Sequence, residues 1–256
     1  MSQADRNPVV EAENHSIVDA DHYRTLLRQK AELYGFHLSD IQTDRLIRYY
    51  ELMAEKNRDV NLTRIIEFDE VVEKHFVDSM MGAAYFDLND TASVIDIGTG
   101  AGFPGIPLKI MYPQIKLTMI DSVSKKISFI NEAAEKIGLN SVEALHARAE
   151  DLARDPMYRE KFDLCVSRAV ANLSTLSEYA LPFVKVGGAF LAYKSDQCVE
   201  EINNSKNAVS MLGGEFGTIN RFSIFGFGRT TIEIRKVKKT VRAFPRKAGV
   251  PSKKPL

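Results

Sequence analysis

Five short runs rich in branched aliphatic residues, Val94 to Ile97, Lys116 to Asp121, Val142 to His146, Phe162 to Ser167 and Ala189 to Lys194, alternate along this chain with helical stretches. That rhythm predicts parallel strands joined by crossover helices, because a parallel pair cannot be closed by a tight turn. The helix between the second and third runs is clearly marked: Ile127, Ile130, Ala133, Ala134 and Ile137 share one face, and Gly138 follows at its C-terminal end. Two later runs, Thr218 to Ile224 and Thr230 to Val237, flank Phe225-Gly226-Phe227-Gly228 and predict an antiparallel pair closing the sheet. The fold class expected is α/β.

Upstream of Asp90 the period is helical. Tyr23, Leu26, Leu27, Ala31 and Tyr34 form one stripe that stops at Gly35, and Ser39 with Gln42 makes a capping-box signature before the next helix. A third stripe carries Val71, Val72, His75, Phe76, Ser79 and Met80 and is expected to end near Tyr85. The chain therefore divides into a leader over 1–21 with no apolar period, expected to be disordered, a small N-terminal helical cap over 22–90, an α/β domain over 91–237 and a basic tail over 238–256.

A 45% hydrophobic share of 256 residues is enough for a core, and no segment approaches the roughly 20 apolar residues of a membrane span. The first residues lack the basic-then-apolar order of a signal peptide, so a cytoplasmic protein with no membrane partner is expected. Cys165 and Cys198 show no metal-ligand spacing, which predicts a reducing compartment and no metal site. The 34 basic and 34 acidic side chains cancel, but their placement is lopsided: after Glu233 no carboxylate occurs, while nine lysines and arginines do. Such an end is either a solvated surface or a contact for a polyanion.

The strongest local signal is Val94-Ile95-Asp96-Ile97-Gly98-Thr99-Gly100-Ala101-Gly102-Phe103-Pro104-Gly105, a strand running through glycines into a helix. Gly100, Gly102 and Gly105 spell the dinucleotide fingerprint, so a nicotinamide oxidoreductase has to be weighed. The register argues otherwise. Asp96 lies within the strand and Gly98 follows two residues later, the arrangement of class I methyltransferases, and Pro104 and Pro107 crowd the helix N-terminus that a pyrophosphate would need. Asp121, closing the second strand, can accept both ribose hydroxyls of an adenosine. In Ala147-Arg148-Ala149-Glu150-Asp151 the acids either hold an adenine edge or begin a helix. Asp96, Gly98, Gly100, Gly102 and Asp121 are thus candidate cofactor residues.

Acceptor chemistry is expected at the exit of the fourth strand, Ser167 to Asn172. No Pro-Pro-aromatic turn is present there to polarise an exocyclic amine. No thiol sits on a substrate-side loop either: Cys165 is inside a strand and Cys198 in a helical stretch. A ring nitrogen with a free lone pair, such as guanine N7, needs neither, so no general base is expected and no catalytic side chain is assigned. Arg168 reads as a contact to a cofactor carboxylate or an RNA phosphate, or as a strand-end ion pair; Lys194 as a phosphate or base contact, or a snorkelling side chain. His75, Asp78 and Ser79, on one helix face, read as a hydrogen-bonded cluster between the cap and the sheet.

Taken together, Asn61-Leu62-Thr63, His75 with Asp78-Ser79, the block Asp96 to Pro107 with its Gly-Phe-Pro-Gly-Ile-Pro, Asp121, Ser167-Arg168-Ala169 and Phe244-Pro245-Arg246-Lys247-Ala248-Gly249 resemble the bacterial 16S ribosomal RNA guanine-N7 methyltransferases, the family once called glucose-inhibited division protein B. The resemblance runs from about Tyr23 to Leu256. It implies a class I, Rossmann-like fold that binds S-adenosyl-L-methionine and methylates one guanosine of 16S ribosomal RNA, either as free RNA or in a small-subunit particle, with the chain acting as a monomer. Carried over by position, it implies cofactor contacts from Gly98, Phe103, Ala149, Glu150 and Arg168, with Asp121 at the ribose. Arg64, Lys194, Arg246 and Lys247 are expected to contact RNA. Ala101 stands where some members carry proline, and the leader has no counterpart. A non-catalytic RNA-binding assembly factor is the other reading; it would show a broken glycine loop or a lost Asp121, and both are intact.

Overall fold

The computed structural model describes residues 21–84, 88, 93–168 and 170–256. The expected leader, apart from Asp21, lies outside the described residues, as do Tyr85 and Ala169. Helix α1 covers 21–32. Ser39 starts α2 (Asp40–Val60) through a reciprocal capping box: the Gln42 N–H donates to the Ser39 hydroxyl and the Ser39 N–H to the Gln42 side chain. The third helical run is less regular than its periodicity predicts. It comprises α3 (Phe68–Val71), a π-helical segment Val72–Val77 and α4 (Asp78–Ala83). Such π segments are rare and concentrate at functional sites, and this one carries His75.

The sheet is built from β1 (Ser93–Ile97), β2 (Lys116–Asp121), β3 (Val142–His146), β4 (Phe162–Arg168), β5 (Val184–Ser195), β6 (Gly214–Ile224) and β7 (Phe227–Lys236), in the order β3-β2-β1-β4-β5-β7-β6. Strands β1 to β5 are parallel, and β7 inserts antiparallel between β5 and β6. A doubly wound dinucleotide sheet of order 3-2-1-4-5-6 places its sixth strand beside the fifth. Here the hairpin turns back and β7 takes that place, which separates this fold from the dehydrogenase alternative. Strands β5 and β6 begin several residues earlier than the runs at Ala189 and Thr218 suggest. The glycines fall in register breaks, Gly187 and Gly188 between the pairs at Val184 and Ala189 and Gly217 between those at Phe216 and Ile219, so the paired flanks carry each strand across residues of weak strand preference.

The crossovers are α5 (Gly105–Met111), α6 (Ser124–Lys136), the short α7 (Ala149–Leu152), α8 (Leu173–Ala180) and α9 (Val199–Met211); α10 (Val250–Lys253) lies near the C-terminus. Strand alternation then sorts the core. Val94, Leu117 and Val166 face one way, into a cluster shared with Ile106 and Ile130 of α5 and α6 and with Leu46, Tyr49, Met53 and Phe76 of the N-terminal helices. Ile95, Ile120 and Cys165 face the other way, against Leu176 of α8 and Val209 of α9. The N-terminal helices are therefore part of one sheet-covering layer. Arg45 of α2 reinforces this by donating to the carbonyls of Ile137 and Gly138 after α6.

The basic C-terminal stretch is docked, which corrects the solvated-end alternative. Phe244 and Leu256 pack against the second cluster, and Arg246 makes a bidentate ion pair with Glu178, a fully buried residue of α8. Lys236 is also buried, donating to the Leu181 carbonyl and the Thr240 hydroxyl. Lys236 and Arg246 have been drawn in because Glu160 and Glu178 offer them carboxylates, while Lys238, Lys239, Arg242, Lys247, Lys253 and Lys254 stay exposed. Among the described residues no helix is long and apolar enough to cross a membrane, and no group of three or more His, Cys, Asp or Glu side chains could hold a metal ion.

Candidate cofactor and acceptor sites

At the end of β1 the chain turns under tight constraints. Gly98 has φ +65°, and a Cβ there would stand 2.5 Å from a methyl of Val170. Its N–H and that of Thr99 donate to the Ile120 carbonyl, tying the turn to β2. Asp96, fully buried, accepts from the Thr99 hydroxyl at 2.7 Å and from the Gly105 N–H at 2.9 Å, both on one carboxylate oxygen. It thus braces the turn and the start of α5 from beneath. Burial pushes its carboxyl up to about 6, against the opposing pull of those two hydrogen bonds. On the other side of the turn, the Gly100 N–H donates to one oxygen of Asp121 and the Val123 N–H to the other, each at 2.9 Å. Each oxygen keeps a second lone pair, so a ribose diol can still be accepted.

A cavity of about 230 Å³ opens beyond the C-terminal ends of β1 and β2, where ligands bind in open α/β sheets. Gly98, Asp121, Ala149 and Glu150 all line it. Asp96, Gly100, Gly102 and Phe103, expected beside them, do not. Gly102 is packed inward: a Cβ there would stand 2.3 Å from the Tyr49 hydroxyl, which donates to the Ala101 carbonyl at 2.7 Å. Phe103 is buried beneath the His75 ring, 4.4 Å away and nearly parallel to it. Residues the sequence reading missed also line the cavity, among them Val170 and Tyr179, and Gly249 and Ser252 from the C-terminal stretch.

Arg168 lies elsewhere, in the wall of a second cavity of about 740 Å³ above β4, β5 and β7. Its guanidinium donates to the Lys74 carbonyl at 2.9 Å and to Asp78 at 2.8 Å, and reaches Nδ1 of His75 at 3.0 Å. Asp78, almost completely buried, accepts from Arg229 of β7 with its other oxygen at 2.8 Å. The cap helices and both halves of the sheet thus meet on one carboxylate. His75 Nε2 lies 3.1 Å from the Thr63 hydroxyl. Nδ1 lies 3.0 Å from both the Arg168 guanidinium and the Lys74 carbonyl; in the Nε2–H tautomer it accepts from Arg168, and in the Nδ1–H tautomer it donates to Lys74. Burial first, and the Arg168 charge second, lower the imidazole to about 3, so it is neutral at physiological pH. Of the cluster anticipated from His75, Asp78 and Ser79, His75 and Asp78 converge on Arg168, while the Ser79 hydroxyl donates to the His75 carbonyl within the helix.

The four cations expected to meet RNA are spread out. Lys194 lines the second cavity, donating to the Ala171 carbonyl and to Glu201. Arg64 is exposed and precedes Ile65, another lining residue. Arg246 is held by Glu178, and Lys247 beside it is exposed. Lys74 and Arg229, unremarked in the sequence, add positive charge to the cavity wall and both stand over the ring of Phe227. Their separation along the chain hides them: only the β6–β7 hairpin brings Arg229 beside the N-terminal helices.

The family model described as rRNA small subunit methyltransferase G matches residues 42–224. The chain belongs to this family. It is accordingly an rRNA methyltransferase that uses S-adenosylmethionine. Relatives named ribosomal RNA small subunit methyltransferase G include one from Alkaliphilus metalliredigens, 42% identical over 91% of this chain and 98% of its own length. Another, from Brevibacillus brevis, is 46% identical over 87% of this chain and 94% of its own. Among solved structures, TYW2 of M. jannaschii in complex with AdoMet matches 68% of this chain and 80% of its own with a TM-score of 0.52 at 17% identity. TrmN of Thermus thermophilus matches 65% and 53% with a TM-score of 0.51 at 16% identity. At that distance these structures speak to the methyltransferase fold alone. The family match takes in most of the lining of both cavities but stops before Arg229, Thr230 and Thr231 of the larger one and the C-terminal stretch that borders the smaller one.

Proposed function

We propose that the chain transfers a methyl group to N7 of one guanosine in 16S ribosomal RNA of the small subunit, acting as a monomer in the cytoplasm. The observation that carries this reading is the adjacency of the two cavities. Gly98 and Val170 sit at the smaller one, and Arg168 and Ala171, on either side of Val170 in the chain, line the larger. Bound S-adenosylmethionine supplies an electrophilic methyl group. Asp121 then serves the ribose, Glu150 and the Ala149 N–H the adenine edge, and Gly98 lets the backbone approach closely. Asp96 and Gly100 shape the turn. The larger cavity has room for an extruded base, and Arg64, Lys74, Lys194 and Arg229 offer charge to its phosphates, with Lys247 further along the surface.

Guanine N7 carries no proton, so the chain's task is to hold it in line with the methyl group and to keep water out. His75 is suited to bracing Arg168 and not to taking up a proton, since its imidazole is lowered to about 3. Neither cysteine is a candidate nucleophile: both are buried, and burial pushes the Cys165 thiol well up. Nucleoside mass spectrometry of 16S RNA incubated with the enzyme and cofactor tests the assignment. The expected product is 7-methylguanosine; a methyl group on another atom, or none, sinks it.

The single-turnover rate is expected to be nearly flat from about pH 6.5 to 8.5, a window spanning ordinary histidine titration. His75 stays neutral throughout, and Asp96, titrating at about 6, is mostly ionised. Below that window His75 acts on stability. Folding lowers the His75 value from 6.5, so its contribution to stability is complete above 6.5 and is lost as pH falls toward about 3. A rise of about tenfold per pH unit inside the window, abolished by His75→Gln, would show that a base is used.

A further inference from the structure

The C-terminal stretch was expected to serve RNA, yet its contacts lead to the cofactor cavity. Arg246 donates to Glu178 through its main-chain N–H at 2.7 Å and through its guanidinium at 2.6 Å. Arg154 donates to the Pro245 carbonyl and Arg159 to that of Phe244, at 2.7 and 2.9 Å, while the Thr175 hydroxyl reaches the Pro251 carbonyl at 3.0 Å. The segment is thus strapped across α7 and α8. Between those anchors the Gly249 N–H donates to one oxygen of Glu150 at 2.9 Å, and Gly249 and Ser252 line the same cavity as Glu150 and Asp121. Ser252 is itself exposed to that side and meets Tyr179, another lining residue.

We propose that residues Arg246 to Ser252 form the outer wall of the adenosine site, and that the Glu150 carboxylate is shared between the Gly249 N–H and the adenine amine. The proposal rests on the assignment of the smaller cavity to the cofactor. A carboxylate can accept from several donors at once, so the strap need not leave for the ligand to bind. By holding one oxygen of Glu150, the Gly249 N–H presents the other in a fixed orientation, and the ordering this requires is done before the ligand arrives. The coupling is reciprocal: a ligand that engages Glu150 must in turn steady the strap.

S-adenosylhomocysteine is the probe, used with the full chain. Hydrogen exchange of the amides over 246–252 is expected to slow on its addition. Ser252→Trp, which fills the cavity from an exposed position, is expected to raise the dissociation constant by about tenfold or more while leaving the melting temperature of the unliganded protein nearly unchanged. Calorimetric binding to the wild type is measured first. If the wild type does not bind, the cavity assignment itself fails. If it binds but the strap amides exchange at their former rate, or Ser252→Trp binds as tightly as the wild type, the cavity stands and the strap is not part of it. Should Ser252→Trp fail to fold, the exchange measurement on the wild type decides alone.

Discussion

Asp78→Ala is expected to lower unfolding free energy by about 3 kcal/mol and to remove most of the single-turnover activity. Asp78 is 4% exposed and is the carboxylate on which Arg168 and Arg229 converge. Without it two guanidiniums face each other in a partly desolvated cavity, close to Lys74 and Lys194, with no anion between them. Breaking a buried pair leaves the surviving charge uncompensated, and this substitution does so twice. The side chains can escape in part, since Arg229 is 27% exposed, which is why the estimate sits at the low end of the usual range. Asp78→Asn keeps the shape and one acceptor, so it should fall between the two. Denaturant titration gives the stability and a single-turnover assay the rate. A stability within about 0.5 kcal/mol of the wild type would show that the arginines are adequately solvated on their own and that this junction does not hold the cap helices to the sheet.

Gly102→Ala is expected to cost about 2–5 kcal/mol, and Gly100→Ala only about 1–2. Both glycines have positive φ, +83° and +61°, so alanine suffers the left-handed penalty at each. Their surroundings differ. Around Gly100 nothing approaches a Cβ closer than 4.0 Å, whereas at Gly102 the Tyr49 hydroxyl stands at 2.3 Å and Ile106 Cγ1 at 2.8 Å. The extra loss at Gly102 measures overlap with α2 and α5, and adding Tyr49→Phe should recover part of it by removing the nearest atom. Thermal melts of the three variants provide the comparison. Equal losses at the two glycines would mean that Tyr49 moves aside freely and that the turn is not wedged against the N-terminal helices.

That contrast explains why the glycine block could be recognised in the sequence while the duties of its members could not. The spacing of Asp96, Gly98, Gly100 and Gly102 identifies a strand turning sharply at its end, because glycine adopts those positive φ angles at least cost. It cannot say which glycine faces the ligand and which faces a tyrosine 53 positions upstream. Asp96 is similar. Its position in the strand pointed to the cofactor, and its hydrogen bonds go to Thr99 and Gly105.

Local signals determined the elements by themselves. Periodicity and the Ser39 box located the helices, the alternation of short apolar runs implied a parallel sheet, and the block Asp96 to Pro107 with Asp121 marked the end of it where the smaller cavity opens. Each of these is written within a few consecutive residues, where steric and hydrogen-bonding preferences act directly. The tertiary structure alone decided what depends on distant charges meeting. It drew Arg246 onto Glu178 and so turned a basic tail into a docked strap. It set Arg168 between His75 and Asp78, and it carried Arg229 to the same carboxylate through a hairpin whose strand order no local pattern encodes. A buried charge must find a partner wherever the fold has placed one, and that place is a property of the packed sheet and helices, not of the neighbouring sequence.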